Sequence, residues 1–163
     1  MDPSRLGILG SSAGGNLALL LTTHEEDLCG RRAGLSAVVT WSAPINLARY
    51  GRLNQPHCDF GTAGCPVLYR AEEEYVGCAY DACPARWQAA SVGSYIRADD
   101  PPTLLFNSSD ELVPLWQPRE LASLFTSQGV LNRLVVFRGH LHGIAYANEA
   151  LPTTIEFFRQ YLG

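Results

Sequence analysis

The sequence predicts an α/β fold with a sheet of about four mainly parallel strands flanked by helices. Four short runs rich in Leu, Ile, Val and Phe have the length and composition of strands, and helical patterns lie between and after them. Strands that alternate with helices form parallel sheets covered on both faces. With 163 residues, of which 47% are hydrophobic and 17% charged, the chain has enough apolar content for one domain over residues 1–163.

The elements follow from local patterns. The predicted strands cover residues 5–9, 37–41, 103–107 and 134–137. The predicted helices cover residues 13–27, 117–129 and 152–162. Gly129 is expected to cap the second helix at its C-terminus, and Thr153 with Glu156 has the spacing of a capping box for the third.

Residues 42–102 interrupt this alternation, because the connection is far longer than a usual crossover. We interpret the segment as an insertion over the carboxyl edge of the sheet, where a lid or substrate wall would lie. Four of the five cysteines fall within it: Cys58, Cys65, Cys78 and Cys83. Their spacing does not match a zinc site. Two local disulfides, Cys58 with Cys65 and Cys78 with Cys83, are the favoured interpretation, and buried reduced thiols are the alternative.

Charge and hydropathy exclude other classes of function. The net charge is −4 and the 12 Lys and Arg residues are scattered, so nucleic acid is not an expected partner. The longest apolar run, LALLL, is too short to cross a bilayer, and the first residues lack the pattern of a signal peptide. Paired cysteines would nevertheless indicate an extracellular location, with Cys29 left unpaired.

Ser12 stands at the centre of Gly10-Ser11-Ser12-Ala13-Gly14, directly after a predicted strand and directly before a predicted helix. Small flanking residues permit a sharp turn that exposes the serine hydroxyl at the top of the sheet. This context favours a nucleophilic serine. A simple helix N-cap is the alternative role for Ser12.

An acid and a base follow at the same edge of the sheet. Asp110 comes shortly after the third strand, and His142 comes shortly after the fourth, where open α/β sheets place their sites. A serine nucleophile needs an imidazole to accept its proton and a carboxylate to orient that imidazole. Asp110 could instead cap a turn, and His140 is an alternative base two residues away.

Three motifs, GSSAGGNLALL, SSDELVP and HGIAY, resemble the α/β-hydrolase fold and its esterase branch, which includes relatives of hormone-sensitive lipase and small acetyl or feruloyl esterases. The resemblance implies that Ser12 is the nucleophile, Asp110 the acid and His142 the general base. It also implies that the Ala13 amide donates to the oxyanion. The implied reaction is hydrolysis of short-chain or acetyl-type carboxylic esters through an acyl-enzyme, with no metal or organic cofactor.

Three aromatic residues, Trp41, Trp116 and Tyr146, are candidates for the wall of the ester pocket, with simple core packing as their alternative role. The substrate partner is expected to be a small ester. We expect no nucleic acid or membrane partner.

The resemblance extends over essentially the whole chain but only over the carboxyl-terminal half of the family's domain. The strands and the oxyanion loop that the family places before the serine are therefore expected to be missing, which would weaken catalysis. The edge at Arg5 to Leu9 would then be exposed, and a homodimer through this edge is expected. The alternative function is a catalytically weak or inactive half-domain that assembles with itself or with an N-terminal segment.

Overall fold

A four-stranded parallel sheet forms the centre of the computed structural model, which describes residues 5–24, 34–54 and 65–163. The strands are β1 (Leu6–Ser11), β2 (Leu35–Trp41), β3 (Thr103–Ser108) and β4 (Asn132–Phe137), in the order β1-β2-β3-β4. Every residue of β3 is buried, and so are the last five of β2, as expected for inner strands covered on both faces. The predicted fold class is confirmed.

Six α-helices surround the sheet in the described residues: α1 (Ala13–Thr23), α2 (Leu47–Asn54), α3 (Cys65–Val76), α4 (Pro84–Ala89), α5 (Trp116–Ser127) and α6 (Ala147–Leu162). Two apolar clusters lie on opposite sides of the strands. One joins Leu19 of α1 to Leu121 of α5 through Val38, and the other joins Trp41 and Phe106 to the start of α6. None of the helices in the described ranges has both the length and the apolar character needed to cross a membrane.

The last helix begins earlier than the capping-box pattern predicts. Tyr146 is the N-cap of α6, and Pro152 lies inside the helix. The buried Ala150 lies in its first two turns and packs in the same apolar cluster as Tyr146. Burial of this face extends the helix upstream, so the assignment of Thr153 to the N-cap is wrong. The predicted end of α5 agrees better, because Gly129 has a φ of +78° directly after the C-cap residue Gln128.

The long segment between β2 and β3 carries α2, α3 and α4. Cys78 and Cys83 form a disulfide next to α4, as the sequence predicts. The second predicted pairing, Cys58 with Cys65, and the state of Cys29 depend on side chains outside the described residues. The disulfide joins residues only five positions apart, so it fixes a local turn and does not connect distant elements.

Strand β1 lies at one end of the strand order and pairs with β2 alone among the strands that the structure describes. Its outer surface is apolar. Leu6 and Leu9 of β1 are 38% and 42% exposed, and Leu17 and Leu21 of the adjoining α1 are 53% and 46% exposed. An unpaired strand edge beside exposed leucines is a surface that proteins usually cover.

Candidate active site

The turn between β1 and α1 places Ser12 in a strained conformation. Ser12 has φ 53° and ψ −126°, a combination that few non-glycine residues adopt, and its backbone N–H donates to the Trp41 oxygen at 2.8 Å. The turn is tight enough that a Cβ on Gly10 would overlap the backbone of Gly14. Gly15 meets the Ala43 side chain in the same way, since a Cβ there would lie 2.7 Å from the Ala43 Cβ. These close approaches explain why glycines flank the serine.

The imidazole of His142 lies within hydrogen-bonding distance of the Ser12 hydroxyl. The His142 Nε2 to Ser12 Oγ distance is 2.8 Å. His142 follows β4 in the loop that precedes α6, so the carboxyl ends of β1 and β4 supply the two groups. His140, the alternative base in the sequence analysis, has an exposed side chain. The structure therefore brings together the predicted Ser12 and His142.

The carboxylate that contacts His142 belongs to Glu111 and not to Asp110. Glu111 Oε2 lies 2.5 Å from His142 Nδ1, and the Glu111 side chain is buried. Asp110 is exposed, and its backbone N–H donates to the Gly139 oxygen at 2.9 Å. The assignment of the orienting acid is therefore corrected by one residue.

The second carboxylate oxygen of Glu111 is held by two donors. The Ser108 backbone N–H donates to Glu111 Oε1 at 2.7 Å, and the Ser42 hydroxyl donates to the same oxygen at 2.8 Å. With His142 on the other oxygen, the carboxylate has three hydrogen-bond partners. This arrangement satisfies a buried charge and fixes its orientation.

Ser42 is a site residue that the sequence analysis missed. Its hydroxyl accepts a hydrogen bond from the Gly143 N–H at 2.9 Å and lies 2.7 Å from the Tyr146 hydroxyl. Because Ser42 has a single proton and directs it to Glu111, Tyr146 is the donor of that second contact. Burial raises the pKa of the Tyr146 phenol, which keeps this donor protonated. The signal in the sequence was the position of Ser42 directly after β2, at the same edge as Ser12.

A small cavity of about 80 Å³ opens beside Ser12 and Ala13. Ala13 is the first residue of α1, so its N–H has no acceptor within the helix and is free to donate to an anionic oxygen. The walls of the cavity come from α1, from the loop after β2, from α2 and α3, and from the turn after β3. They are formed by Ser12, Ala13, Asn16, Pro44, Leu47, Leu68, Ala71, Glu72, Tyr75 and Leu112.

The sequence profile of the BD-FAE family, an α/β-hydrolase-type esterase family, matches residues 1–125 of the 163. This chain belongs to the BD-FAE family. The matched range includes Ser12, Ser42 and Glu111 and ends before His142. No match was found among the curated proteins.

Solved esterase structures resemble this BD-FAE chain over almost its whole length. A truncated carbohydrate esterase from gut microbiota superposes with a TM-score of 0.78 at 18% identity, covering 99% of this chain and 61% of that one. Propionate-bound Est2 of Thermogutta terrifontis gives a TM-score of 0.68 at 26% identity, with coverage of 98% and 57%. An acetyl ester-xyloside bifunctional hydrolase from Caldicellulosiruptor lactoaceticus gives 0.61 at 22%, with coverage of 99% and 56%. The chain thus spans about three fifths of the length of these proteins.

The three aromatic residues predicted for the ester pocket of this BD-FAE chain are not among those that line the described cavity beside Ser12. Trp41 is buried under α6, where its indole N–H donates to Thr154 Oγ1 at 3.2 Å. Tyr146 is buried with its hydroxyl on Ser42. Trp116 packs at the start of α5, and the Arg49 guanidinium lies 4.5 Å from its ring centre. Trp41 and Tyr146 thus pack in the core, Tyr146 also supports Ser42, and Trp116 is half-buried, while a role for the three in an ester pocket stays a prediction.

Glu72 is a second residue that the sequence analysis missed. It lies on α3 within the run Glu72-Glu73-Glu74, and three consecutive glutamates usually indicate a solvated helix face. In the structure the Glu72 side chain is only 3% exposed and lines the cavity, and neither of its oxygens has a hydrogen-bond partner among the described residues. Leu68 stands four positions earlier on the same helix face, which was the available signal for burial.

Burial of Glu72 predicts a dependence of stability on pH. Desolvation raises its pKa well above 4.5 in the folded state, so the folded chain keeps a proton that the unfolded chain releases. This contribution to stability is complete below pH 4.5 and is lost as the pH rises through the higher folded-state pKa. We expect Glu72→Gln to melt above the parent protein, by a margin that widens as the pH rises from 4.5. Thermal melts across this range test it, with the exposed Glu74→Gln as control. A margin that stays constant with pH would contradict the prediction.

No group of three or more His, Cys, Asp or Glu side chains in the described ranges is arranged to hold a metal ion. The chemistry available at the edge of the sheet is that of the hydroxyl, imidazole and carboxylate. A hydroxyl 2.8 Å from an imidazole, itself held by a buried carboxylate, is arranged for proton transfer from the serine.

Proposed function

We propose that the chain is a serine-dependent carboxylic ester hydrolase that acts on short-chain or acetyl-type esters through an acyl-enzyme. The observation that carries the proposal is the continuous hydrogen-bonded line from Glu111 through His142 to Ser12. Membership of an esterase family supports the reaction class. The likeness to Est2, which was solved with propionate, supports a short acyl group.

In the proposed reaction, Ser12 Oγ attacks the ester carbonyl while His142 Nε2 accepts its proton. The Ala13 N–H donates to the developing oxyanion. His142 then returns the proton to the leaving alcohol, and the acyl group remains on Ser12. Water attacks this ester with His142 again accepting a proton, which releases the acid and restores the serine. Throughout, Glu111 accepts a hydrogen bond from the Nδ1–H of His142 and stabilises the imidazolium without taking its proton.

The Ala13 N–H is one oxyanion donor, and full turnover requires a second. Removal of one such donor typically costs about a hundredfold to a thousandfold in kcat. The exposed edge of β1 supports the second candidate, a catalytically weak half-domain that assembles with itself or with an N-terminal segment. The Cys78–Cys83 disulfide supports an oxidising compartment outside the cytoplasm for either function.

A fluorophosphonate probe tests the proposal, because the probe requires an activated serine but little fit to a substrate. We expect labelling of Ser12, identified by peptide mass spectrometry, and loss of labelling in Ser12→Ala and His142→Ala. His140→Ala serves as the matched control and is expected to label like the parent. An unlabelled parent protein with a cooperative thermal melt would overturn the proposal and favour the silent half-domain.

Ser42 is expected to position Glu111. Ser42→Ala removes the hydroxyl that donates to Glu111 and leaves the Gly143 N–H without its acceptor. A hydrogen bond to a charged group contributes about 1.5 kcal/mol or more, so we expect kcat to fall about tenfold with little change in KM. Ser109→Ala, which removes an exposed hydroxyl from the turn after β3 that also carries Glu111, is the control. A parent-like kcat in Ser42→Ala would show that the carboxylate needs no such support.

A further inference from the structure

The carboxyl group of Glu72 lies in the described wall of the cavity and has no role in the proposed reaction. Neither of its oxygens has a hydrogen-bond partner among the described residues. Its surroundings are apolar on several sides, with Leu47, Leu68 and Leu112 among the residues that line the same space. Ser12 and Ala13 line this space too, so a substrate bound at the serine shares a cavity with Glu72.

An unpaired carboxylate in such surroundings is costly, and burial accordingly raises the pKa of Glu72 well above its usual range. A protonated carboxyl carries one O–H donor and retains a carbonyl acceptor. A buried carboxyl whose donor and acceptor are both unsatisfied destabilises the protein. A ligand that supplies an acceptor and a donor to it removes this cost.

We propose that Glu72 recognises a hydroxyl group carried by the ester substrate, on the part of the substrate that enters the cavity beside Ser12. The inference rests on the proposed function and adds a substrate class to it: short esters that bear a hydroxyl within reach of the reacting carbonyl.

A hydroxyl fits this position better than the other polar groups a small ester carries. It donates and accepts at once, so it matches both atoms of a neutral carboxyl without separating charge. An ammonium group would require Glu72 to ionise first, in a wall that includes several leucines. The cavity is small, about 80 Å³, so the substituent that carries the hydroxyl is expected to be short.

Two matched pairs of esters test the inference, so that the hydroxyl is presented from either side of the reacting bond. The first pair is p-nitrophenyl butyrate and p-nitrophenyl 3-hydroxybutyrate, and the second is ethyl butyrate and 2-hydroxyethyl butyrate. In at least one pair we expect the parent protein to have a KM about tenfold lower for the hydroxylated ester, equivalent to about 1.4 kcal/mol, with similar kcat.

The variants are Glu72→Leu and Glu72→Gln, with Glu74→Gln on the exposed face of α3 as control. Glu72→Leu is expected to remove the advantage in KM, so that the hydroxylated and unsubstituted members of the pair have similar KM values. Glu72→Gln, whose amide also donates and accepts, is expected to keep part of it. Thermal melts check that each variant is folded, and Glu72→Met takes the place of the leucine variant if that one does not fold.

Equal KM values for both members of each pair in the parent would overturn the inference, and so would an advantage that persists in Glu72→Leu. A preference for 2-aminoethyl butyrate over 2-hydroxyethyl butyrate that depends on Glu72 would overturn the inference and show that Glu72 recognises an ammonium group and not a hydroxyl. A fall in kcat for the unsubstituted esters in Glu72→Leu would assign the group to the reaction itself. In each of these cases hydrolysis remains, whereas failure of the proposed function leaves the parent unable to hydrolyse any of the four esters or to react with a fluorophosphonate.

Discussion

Replacement of Glu111 by glutamine is expected to lower kcat by about a thousandfold to ten-thousandfold, the loss found when the orienting acid of a serine triad becomes an amide. The same change at the preceding residue, Asp110→Asn, is expected to leave kcat within about twofold of the parent, because Asp110 is exposed and the His142 imidazole contacts Glu111. The two variants differ by one position and remove the same charge.

The contacts of Glu111 explain why glutamine is so damaging. The Ser108 N–H and the Ser42 hydroxyl both donate hydrogen bonds to Glu111 Oε1. A glutamine at this position directs its carbonyl oxygen to those donors and its NH2 group to His142. The imidazole Nδ1 must then accept a hydrogen bond, which leaves the proton on Nε2. An Nε2 that carries a proton cannot accept one from Ser12, so the nucleophile is not activated.

Steady-state hydrolysis of a short-chain aryl ester measures both variants, and thermal melting confirms that each is folded. Ser12→Ala fixes the background rate. If Asp110→Asn lost activity and Glu111→Gln retained it, the acid would be Asp110 after all, and the close contact between Glu111 and His142 would have no catalytic role. Parent-like rates in both variants would remove the acid from the mechanism altogether.

Much of the fold follows from the sequence because buried parallel strands have a strong signal. All four predicted strands occur within one or two residues of their expected bounds, since runs such as residues 103–107 have an apolar centre and are buried throughout. The serine turn was also predictable, because Gly10 and Gly15 are needed where backbone and side chains approach closely. These features depend on local composition alone.

The site was harder to predict at positions where a shift of one residue along the chain decides which side chain points into it. Asp110 and Glu111 are adjacent acids in a turn. Only the folded structure, in which Glu111 is buried against His142 and Asp110 is exposed, shows which of the two contacts the imidazole. Trp41 shows the same difficulty, because an aromatic residue at the end of a strand can face either the site or the helix packed beneath the sheet. Glu72 was overlooked because a run of three glutamates predicts that all three side chains face solvent. The fold buries one of them.

The exposed edge of β1 leads to the second large expected effect, which concerns assembly. We expect the chain to self-associate at micromolar concentration through β1 and the neighbouring face of α1. Apolar burial contributes about 25 cal/mol for each Å² removed from water, and four leucines on this surface are more than one third exposed. Water can satisfy the backbone groups of the strand edge but not these side chains.

A two-fold dimer is the simplest assembly that covers this surface, since each copy then presents the same edge to the other. Two β1 strands paired across a two-fold axis run antiparallel. Such a dimer buries Leu9 and Leu17 without supplying a parallel neighbour or a further oxyanion donor. Dimerisation is therefore expected to raise stability and to leave turnover per chain unchanged.

Sedimentation velocity on the parent protein and on Leu9→Lys and Leu17→Lys measures the effect. Both leucines lie on the proposed interface, and a buried lysine there leaves a desolvated charge, so each variant is expected to shift the protein to monomer. Val67→Lys places the same charge on an exposed residue of α3 and is expected to sediment like the parent. A monomeric parent whose β1 amides resist hydrogen exchange would contradict the prediction, because the edge would then be protected within a single chain. If the two leucine variants associate as the parent does, the interface lies elsewhere, and the exposed leucines of β1 and α1 do not drive assembly.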